Sequence, residues 1–300
     1  MTSIILTGFL TAWVSLFGLT PVTKDITAAQ PVSVLEPGPS ALPSSPENLQ
    51  AKFSVAIEDN SFFIEEAYNQ ERRVVQHISS VYHYSRPQSD TFYGFTQEWP
   101  FLGPRHQLSY TIPYSWQNAG TVHGVNDILV NYRYQLFEED RWAAVAPRIS
   151  LILPTGRVAD GLGNGVAGVQ IALPASKRLS NDWVVHANLG WTFLPRAKGA
   201  TPGGRAVRGD LSSYYGGGSI IFLADPHYNF LVEGLVMSNA EFDESGRAVH
   251  KIETLLSPGF RYAINLGHLQ VVPGVALPIA FSKDLTRLGI FFYLSFEHPY

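Results

Sequence analysis

The sequence predicts an all-β chain, a transmembrane antiparallel up-and-down β-barrel of about twelve strands behind an N-terminal signal peptide and linker. Three observations predict it. Long stretches alternate large apolar residues with small or polar ones. The connections between those stretches alternate short and long. The chain opens with an apolar leader and is poor in charge.

The alternation is plainest over residues 105–137. Leu108, Tyr110, Ile112, Tyr114 and Trp116 are large and apolar, whereas Ser109, Thr111, Pro113 and Ser115 are small or polar. Successive side chains of a strand point to opposite faces, so one face is greasy and the other wet. After a loop at 117–123, Ile128, Val130, Tyr132, Tyr134 and Leu136 share one face. Asp127, Asn131, Arg133 and Gln135 share the other, interrupted by Leu129. Two such strands make a transmembrane hairpin, and the rest of the chain repeats the unit. The predicted strands are 74–84, 91–99, 105–116, 124–137, 142–153, 165–178, 182–193, 211–224, 227–238, 250–264, 267–281 and 285–296. Their lengths match or exceed the ~9–11 residues that a tilted strand needs to cross a bilayer. The first two and the eighth alternate least regularly.

The connections 138–141, 179–181, 225–226 and 265–266 read as tight turns; 155–164, 194–210 and 239–249 are long and polar. Short periplasmic turns and longer external loops mark an outer-membrane barrel. Trp99, Trp116, Trp142, Trp183, Trp191 and Phe193 fall near strand ends, where interfacial girdles sit. A water-soluble barrel would carry the same alternation turned inside out; strand length, leader and loop asymmetry together favour the membrane. Pro113, Pro147, Pro174, Pro258, Pro273 and Pro278 fall inside strands. Each removes a ladder donor, so bulges or rims are where they belong.

Composition excludes other classes. Of 300 residues 45% are hydrophobic and 15% charged, and mean hydropathy is +0.02. Charge is well below the usual ~25%. Outside the N-terminus no apolar run reaches the ~18 residues of a spanning helix. A net charge of −4 points away from nucleic acid. Cysteine is absent, so disulfides and thiolate metal sites are excluded.

Residues 4–19 form an apolar run of signal-peptide length, and Thr27, Ala28 and Ala29 place a cleavage near Ala29. No Lys or Arg precedes that run. Residues 30–60 read as a Pro/Ser-rich periplasmic linker, with Pro31, Pro37, Pro39, Pro43 and Pro46. The period of 61–73 is ambiguous: a short helix capped by Asp59, Asn60 or Ser61, or a segment tucked into the barrel mouth. Phe63, Glu65, Glu66 and Tyr68 are the candidate plug residues. Adjacent carboxylates point to different faces, so Glu65 and Glu66 are not an acid–base pair at one site. The barrel itself takes up 74–300.

Three stretches carry a family resemblance: Phe63-Ile64-Glu65-Glu66-Ala67-Tyr68-Asn69-Gln70-Glu71, Asp127-Ile128-Leu129-Val130-Asn131-Tyr132-Arg133-Tyr134, and Pro147-Arg148-Ile149-Ser150-Leu151-Ile152-Leu153-Pro154-Thr155-Gly156. From about Phe62 onward the chain resembles the outer-membrane barrel family associated with the meta-cleavage pathway of phenol degradation. The resemblance implies a transporter for small, often hydrophobic or aromatic compounds. Such barrels end on an aromatic read by the barrel-insertion machinery. Here Tyr300 is terminal and His298 and Pro299 break the alternation, so Phe296 is a second candidate for that end.

No nucleotide loop, nucleophile elbow or metal-binding helix appears. The glycines Gly161, Gly163, Gly165 and Gly168 lie in a loop with no helix after it. His77, His83, His186 and His250 show no ligand spacing, and His186 and Ser150 are conceivable members of a Ser–His site for a barrel hydrolase, though Ser and His are expected in a wet lumen anyway. The expectation is therefore no enzyme, no metal and no cofactor. Function rests on the wet face. Arg or Lys turned to lipid at mid-bilayer costs roughly 2–4 kcal/mol, so these groups face inward. The predicted lumen set is Glu98, Asn131, Arg133, Gln135, Arg148, Gln170, His186, Asn188, Glu233, Glu253, Arg261 and Arg287. Arg133, Arg148 and Arg261 are expected to pair with Glu98, Glu233 and Glu253, or to leave a charged constriction. Twelve strands lie between the side-chain-filled eight and the open sixteen, so the pore should be narrow or plugged. The reading is a passive outer-membrane channel for small solutes, its partners being membrane lipid, a solute and the insertion machinery. The alternative is a structural or adhesive barrel with a closed lumen that binds a partner through its external loops.

Overall fold

The computed structural model describes residues 61–85, 89–283 and 285–300; the predicted signal peptide and linker lie outside these. Twelve strands follow in chain order. They are β1 (Val74–Tyr84), β2 (Asp90–Pro100), β3 (His106–Gln117) and β4, in two segments (Val122–Val125 and Ile128–Tyr134). β5 is also split (Ala144–Val145 and Arg148–Leu153), followed by β6 (Gly168–Arg178), β7 (Trp183–Ala200), β8 (Ala206–Asp225) and β9 (Tyr228–Phe242). Then come β10 (Ala248–Tyr262 and Ile264–Leu266), β11 (Leu269–Ala276 and Ile279–Ser282) and β12 (Leu285–Pro299). Each pairs antiparallel with the next. β12 returns to β1, from Val74↔Pro299 to Tyr84↔Gly289, and closes a barrel of twelve. Closure leaves no unpaired edge. Tyr300 N donates to Arg73 O at 2.9 Å, so both barrel ends share one rim, called proximal below; the opposite rim is distal.

Prolines mark the breaks. Pro147 splits β5 and Pro278 splits β11. The carbonyl of Pro174 accepts from Ala146 N at 3.2 Å, that of Pro258 from Leu277 N at 3.0 Å, and that of Pro113 from Asn126 N at 2.9 Å. A proline supplies no ladder donor, so the strands at these points detach and re-enter offset, as at a bulge.

The distal connections depart from expectation. The stretches 194–210 and 239–249 were predicted as loops, yet β7 and β8 stay paired out to Ala200↔Ala206 and β9 and β10 to Phe242↔Ala248. β8 and β9 part at Tyr214↔Ser238. Two hairpins therefore rise past the end of the closed wall. Their polar, glycine-rich composition hid strands that need no lipid-facing apolar side. At the proximal rim 138–141 does turn, Arg141 N donating to the Glu138 carbonyl at 3.3 Å, and Phe137 on one side of it bridges Val145 on the other.

The alternation resolves into an apolar outside and a polar inside. Leu189, Ile252 and Leu288 are 63–65% exposed on the outer face, while Glu98, Arg133 and Arg261 are at most 1% exposed. A water-soluble barrel would show the reverse, and a continuous belt of exposed Leu, Ile, Val and Phe around a polar interior is the pattern of a bilayer-spanning barrel. Trp99, Trp142 and Trp183 sit toward the proximal rim, Trp116, Trp191 and Phe193 toward the distal one.

Candidate functional site: the lumen and the segment inside it

All twelve sequence-predicted lumen residues are buried. β2 brings Glu98, β4 Asn131 and Arg133 with Gln135 just after it, β5 Arg148, β6 Gln170, and β7 His186 and Asn188. β9 brings Glu233, β10 Glu253 and Arg261, and β12 Arg287. The period of two puts each on the face opposite an exposed apolar neighbour.

Residues 61–70 are buried among them and form bends, not the helix that was one reading of this stretch. A helix would satisfy its own backbone donors; here the wall satisfies them. Glu233 Oε1 accepts the N–H groups of Phe62, Phe63 and Ile64 at 2.9, 2.7 and 2.9 Å. Asn188 grips the Glu65 peptide twice, accepting from its N–H and donating to its carbonyl, both at 2.7 Å. Ser176 accepts from Ala67 N at 2.7 Å, Gln135 from Asn69 N at 3.1 Å and Gln107 from Gln70 N at 2.7 Å. Gln135 also donates to the Ala67 carbonyl at 2.7 Å, and Arg133 to the Glu66 carbonyl at 3.2 Å. Buried backbone groups must be paired, and the wet face does this in place of a ladder.

The apolar end is held by shape. The Phe62 ring lies 5.2 Å from that of Phe291 and 5.4 Å from that of Tyr293. A Cβ at either Gly259 or Gly274 would come within 2.6 Å of the Phe62 ring, so these two glycines form its socket. Phe63 meets Phe291 at 4.8 Å and Tyr82 at 6.1 Å, edge-on in the second case.

The charges pair differently from expectation. Arg133 does face Glu98, at 3.8 Å. Arg148 instead bonds Glu65 of the inserted segment, at 2.9 and 2.5 Å, with Asn131 and Gln170 each at 3.1 Å and Ser150 alongside. Glu253 pairs with Arg287, whose NH2 lies 2.8 and 2.6 Å from its two oxygens. The Arg287 guanidinium also sits 4.6 Å above the Tyr84 ring. Arg261 donates to Asn229 at 2.8 Å, and Glu233 spends one oxygen on backbone N–H groups. The sequence showed charges on one face but not which partner lay across the lumen, nor that a segment would take Arg148. The Glu65 carboxylate meets Arg148, and the Glu66 backbone carbonyl accepts from Arg133.

His186 is 2.7 Å from Ser176, not paired with Ser150. Ser176 at the same time accepts Ala67 N, which makes it an anchor for the segment. Tyr68 OH donates to Glu139 Oε2 at 3.0 Å across the proximal mouth. A cavity of about 670 Å³ opens there, bordered by Tyr68, Gln70, Arg105, Glu138, Asp140 and Lys177. Among the described residues no group of three or more His, Asp or Glu is placed to hold a metal. Gln107, Ser176 and Asn229 were missed although each lies on a wet face; the socket glycines carry no face signal at all.

At the distal end an apolar cluster packs beside buried polar groups such as Asn126, Asp127 and Asn164. Leu129, Ile152, Leu194, Leu211 and Phe242 pack together with Val166 and Val207. The Phe242 ring lies over Gly199 and Gly209, each 3.1 Å from it at the position of a Cβ. Phe242 belongs to the β9–β10 hairpin and the glycines to the β7–β8 hairpin, so the first leans inward beneath the second. In the turn of that inner hairpin, Asp243 is held below the usual carboxylate range by the Ser245 hydroxyl and the Arg247 N–H.

No protein-family model matches the chain, and no curated protein matches it. Solved structures do. An outer membrane channel from Pseudomonas putida F1 superimposes with a TM-score of 0.54 at 12% identity, over 78% of this chain and 98% of that one. The NanC porin gives 0.48 at 10% identity, over 74% and 98%. The CymD monoaromatic hydrocarbon channel gives 0.44 at 9%, over 77% and 89%. The chain has the fold of an outer-membrane channel barrel.

Proposed function

We propose that this chain is a bacterial outer-membrane channel for small solutes, held shut by residues 61–70 acting as an internal plug. Glu233 carries the reading: a buried carboxylate that caps three consecutive N–H groups of a segment from another part of the chain is a seat, not incidental packing. The proximal rim is periplasmic and the distal hairpins external; the short proximal turns and the N-terminal linker expected from the sequence support this orientation. The twelve wall residues named above line the passage and set its selectivity once the plug moves. The solute is hydrophobic or aromatic. Tyr82, Tyr84, Phe92 and Phe291 form a buried aromatic wall inside the barrel, against which Phe63 now packs. That class is also what the resemblance to the phenol-degradation barrels implies. Lipid surrounds the apolar belt, and the aromatic-rich β12 is the segment offered to the insertion machinery.

The test is conductance. Full-length protein and a variant lacking 61–70 are reconstituted in planar bilayers and liposomes, after each is shown to shift on a gel upon boiling. The deletion should conduct strongly and the full chain rarely. The packed distal end also favours the rival reading, a closed structural or adhesive barrel. A deletion variant that shifts on boiling yet never conducts, and whose liposomes take up no solute, establishes that rival instead.

A further inference from the structure

From the belt upward, the outer face of β7 and β8 runs through three chemistries. Leu189 is 64% exposed and belongs to the lipid-facing belt. Next come Trp191 and Phe193, stacked 5.8 Å apart and 15° from parallel, with Trp191 Nε1 donating to Ser212 at 2.8 Å. An indole that hydrogen-bonds on one edge and packs on its face belongs at the hydrocarbon–headgroup boundary. Beyond Phe193 the pairing shifts at a β-bulge, with Leu194↔Leu211 on one side and Ala197↔Gly209 on the other. Arg196 occupies the bulge with φ 51°, a left-handed backbone that an arginine rarely adopts. Its N–H is fixed by Asp210 at 2.6 Å, and its carbonyl accepts from Arg208 Nε at 3.1 Å. Lys198 is paired directly opposite Arg208, and both are exposed while Ala197 beside them is buried. The bulge thus gathers three cations against one carboxylate, one step above an aromatic girdle. That is the height of lipid phosphates.

We infer that Arg196, Lys198 and Arg208 form a docking site for the phosphate groups of an anionic lipid of the outer leaflet. Charge complementarity selects the occupant, because the surface is continuous with the lipid-facing belt and its cations stand at headgroup depth. The two guanidinium groups offer forked donors suited to phosphate oxygens, and Lys198 adds a flexible point charge. The site rests on the membrane placement proposed above but not on conduction. Loss of the plug leaves it intact.

The test uses full-length protein in detergent micelles and native mass spectrometry, with bisphosphorylated lipid A as the probe. The wild type should retain it, and the triple variant Arg196→Gln, Lys198→Gln, Arg208→Gln should retain on the order of a hundredfold less, since all three cations near a charged lipid surface contribute. Lipid A stripped of both phosphates should bind the wild type no better than the triple variant. Because altering Arg196 disturbs the bulge, the double variant Lys198→Gln, Arg208→Gln is the second arm, and both must keep the heat shift of the barrel. Retention unchanged in the double variant, or equal retention of phosphate-free lipid, overturns the inference. Displacement by millimolar inorganic phosphate reduces the site to a free-anion site and overturns the lipid reading. A wild type without a heat shift would instead count against the membrane reading.

Discussion

Glu65 and Arg148 stand 83 residues apart in sequence and meet inside the barrel, the carboxylate of one 2.9 and 2.5 Å from the guanidinium of the other. Both side chains are almost fully buried, at 0% and 4% exposure. The contact ties the inserted segment to the wall by charge where Glu233 ties it by backbone. Removing one member strands the other. We predict that Glu65→Ala weakens seating of the segment by roughly 3–5 kcal/mol, the cost of an uncompensated buried charge. Frequent opening in single-channel records is the readout, and the double variant Glu65→Leu, Arg148→Met should open less often than the single.

Glu233 supports three amide groups at once. Glu233→Ala should leave them unpaired and raise the open probability, each lost bond being worth on the order of 1–3 kcal/mol. Glu233→Gln keeps an acceptor oxygen and should lie between that variant and the wild type. Identical traces for Ala and Gln would show that the acceptor is not what holds the segment.

The socket of Phe62 depends on missing side chains. Gly259→Leu or Gly274→Leu should collide with the ring and expel it, raising conductance. Adding Phe62→Ala should restore space and part of the closure. Phe62→Ala alone should weaken seating by about 3–5 kcal/mol, as for other buried aromatics. Protease access to the segment in folded protein measures all three.

The outer face can be tested independently of the pore. Leu189→Arg places a charge on the lipid-facing belt and should lower folding stability in vesicles by roughly 2–4 kcal/mol. Urea titration followed by the heat shift gives the value. A change below about 0.5 kcal/mol would put this face in water instead of lipid.

The sequence by itself determined the barrel. The period of two over β3, β4, β7, β9 and β12 set which residues face inward, because burying a charge against lipid is costly at every wrong register. That rule is local, so the inward positions of Arg133, Arg148 and Glu233 were legible without any structure. It also put Pro147 and Pro278 at interruptions of their own strands, since a missing N–H is a property of one residue, whereas Pro273 sits in an unbroken register. Tertiary structure alone decided what lies across the lumen. Whether Arg148 faces Glu233 or Glu65 depends on barrel closure and on the path of 61–70, and no period records either. The socket at Gly259 and Gly274 is formed by absent atoms, which leave no hydrophobic pattern. The distal hairpins were read as loops because, above the belt, lipid no longer imposes alternation. There the backbone ladder continues on its own hydrogen bonds, and the bulge at Arg196 gathers Lys198 and Arg208 from two strands onto one outer face.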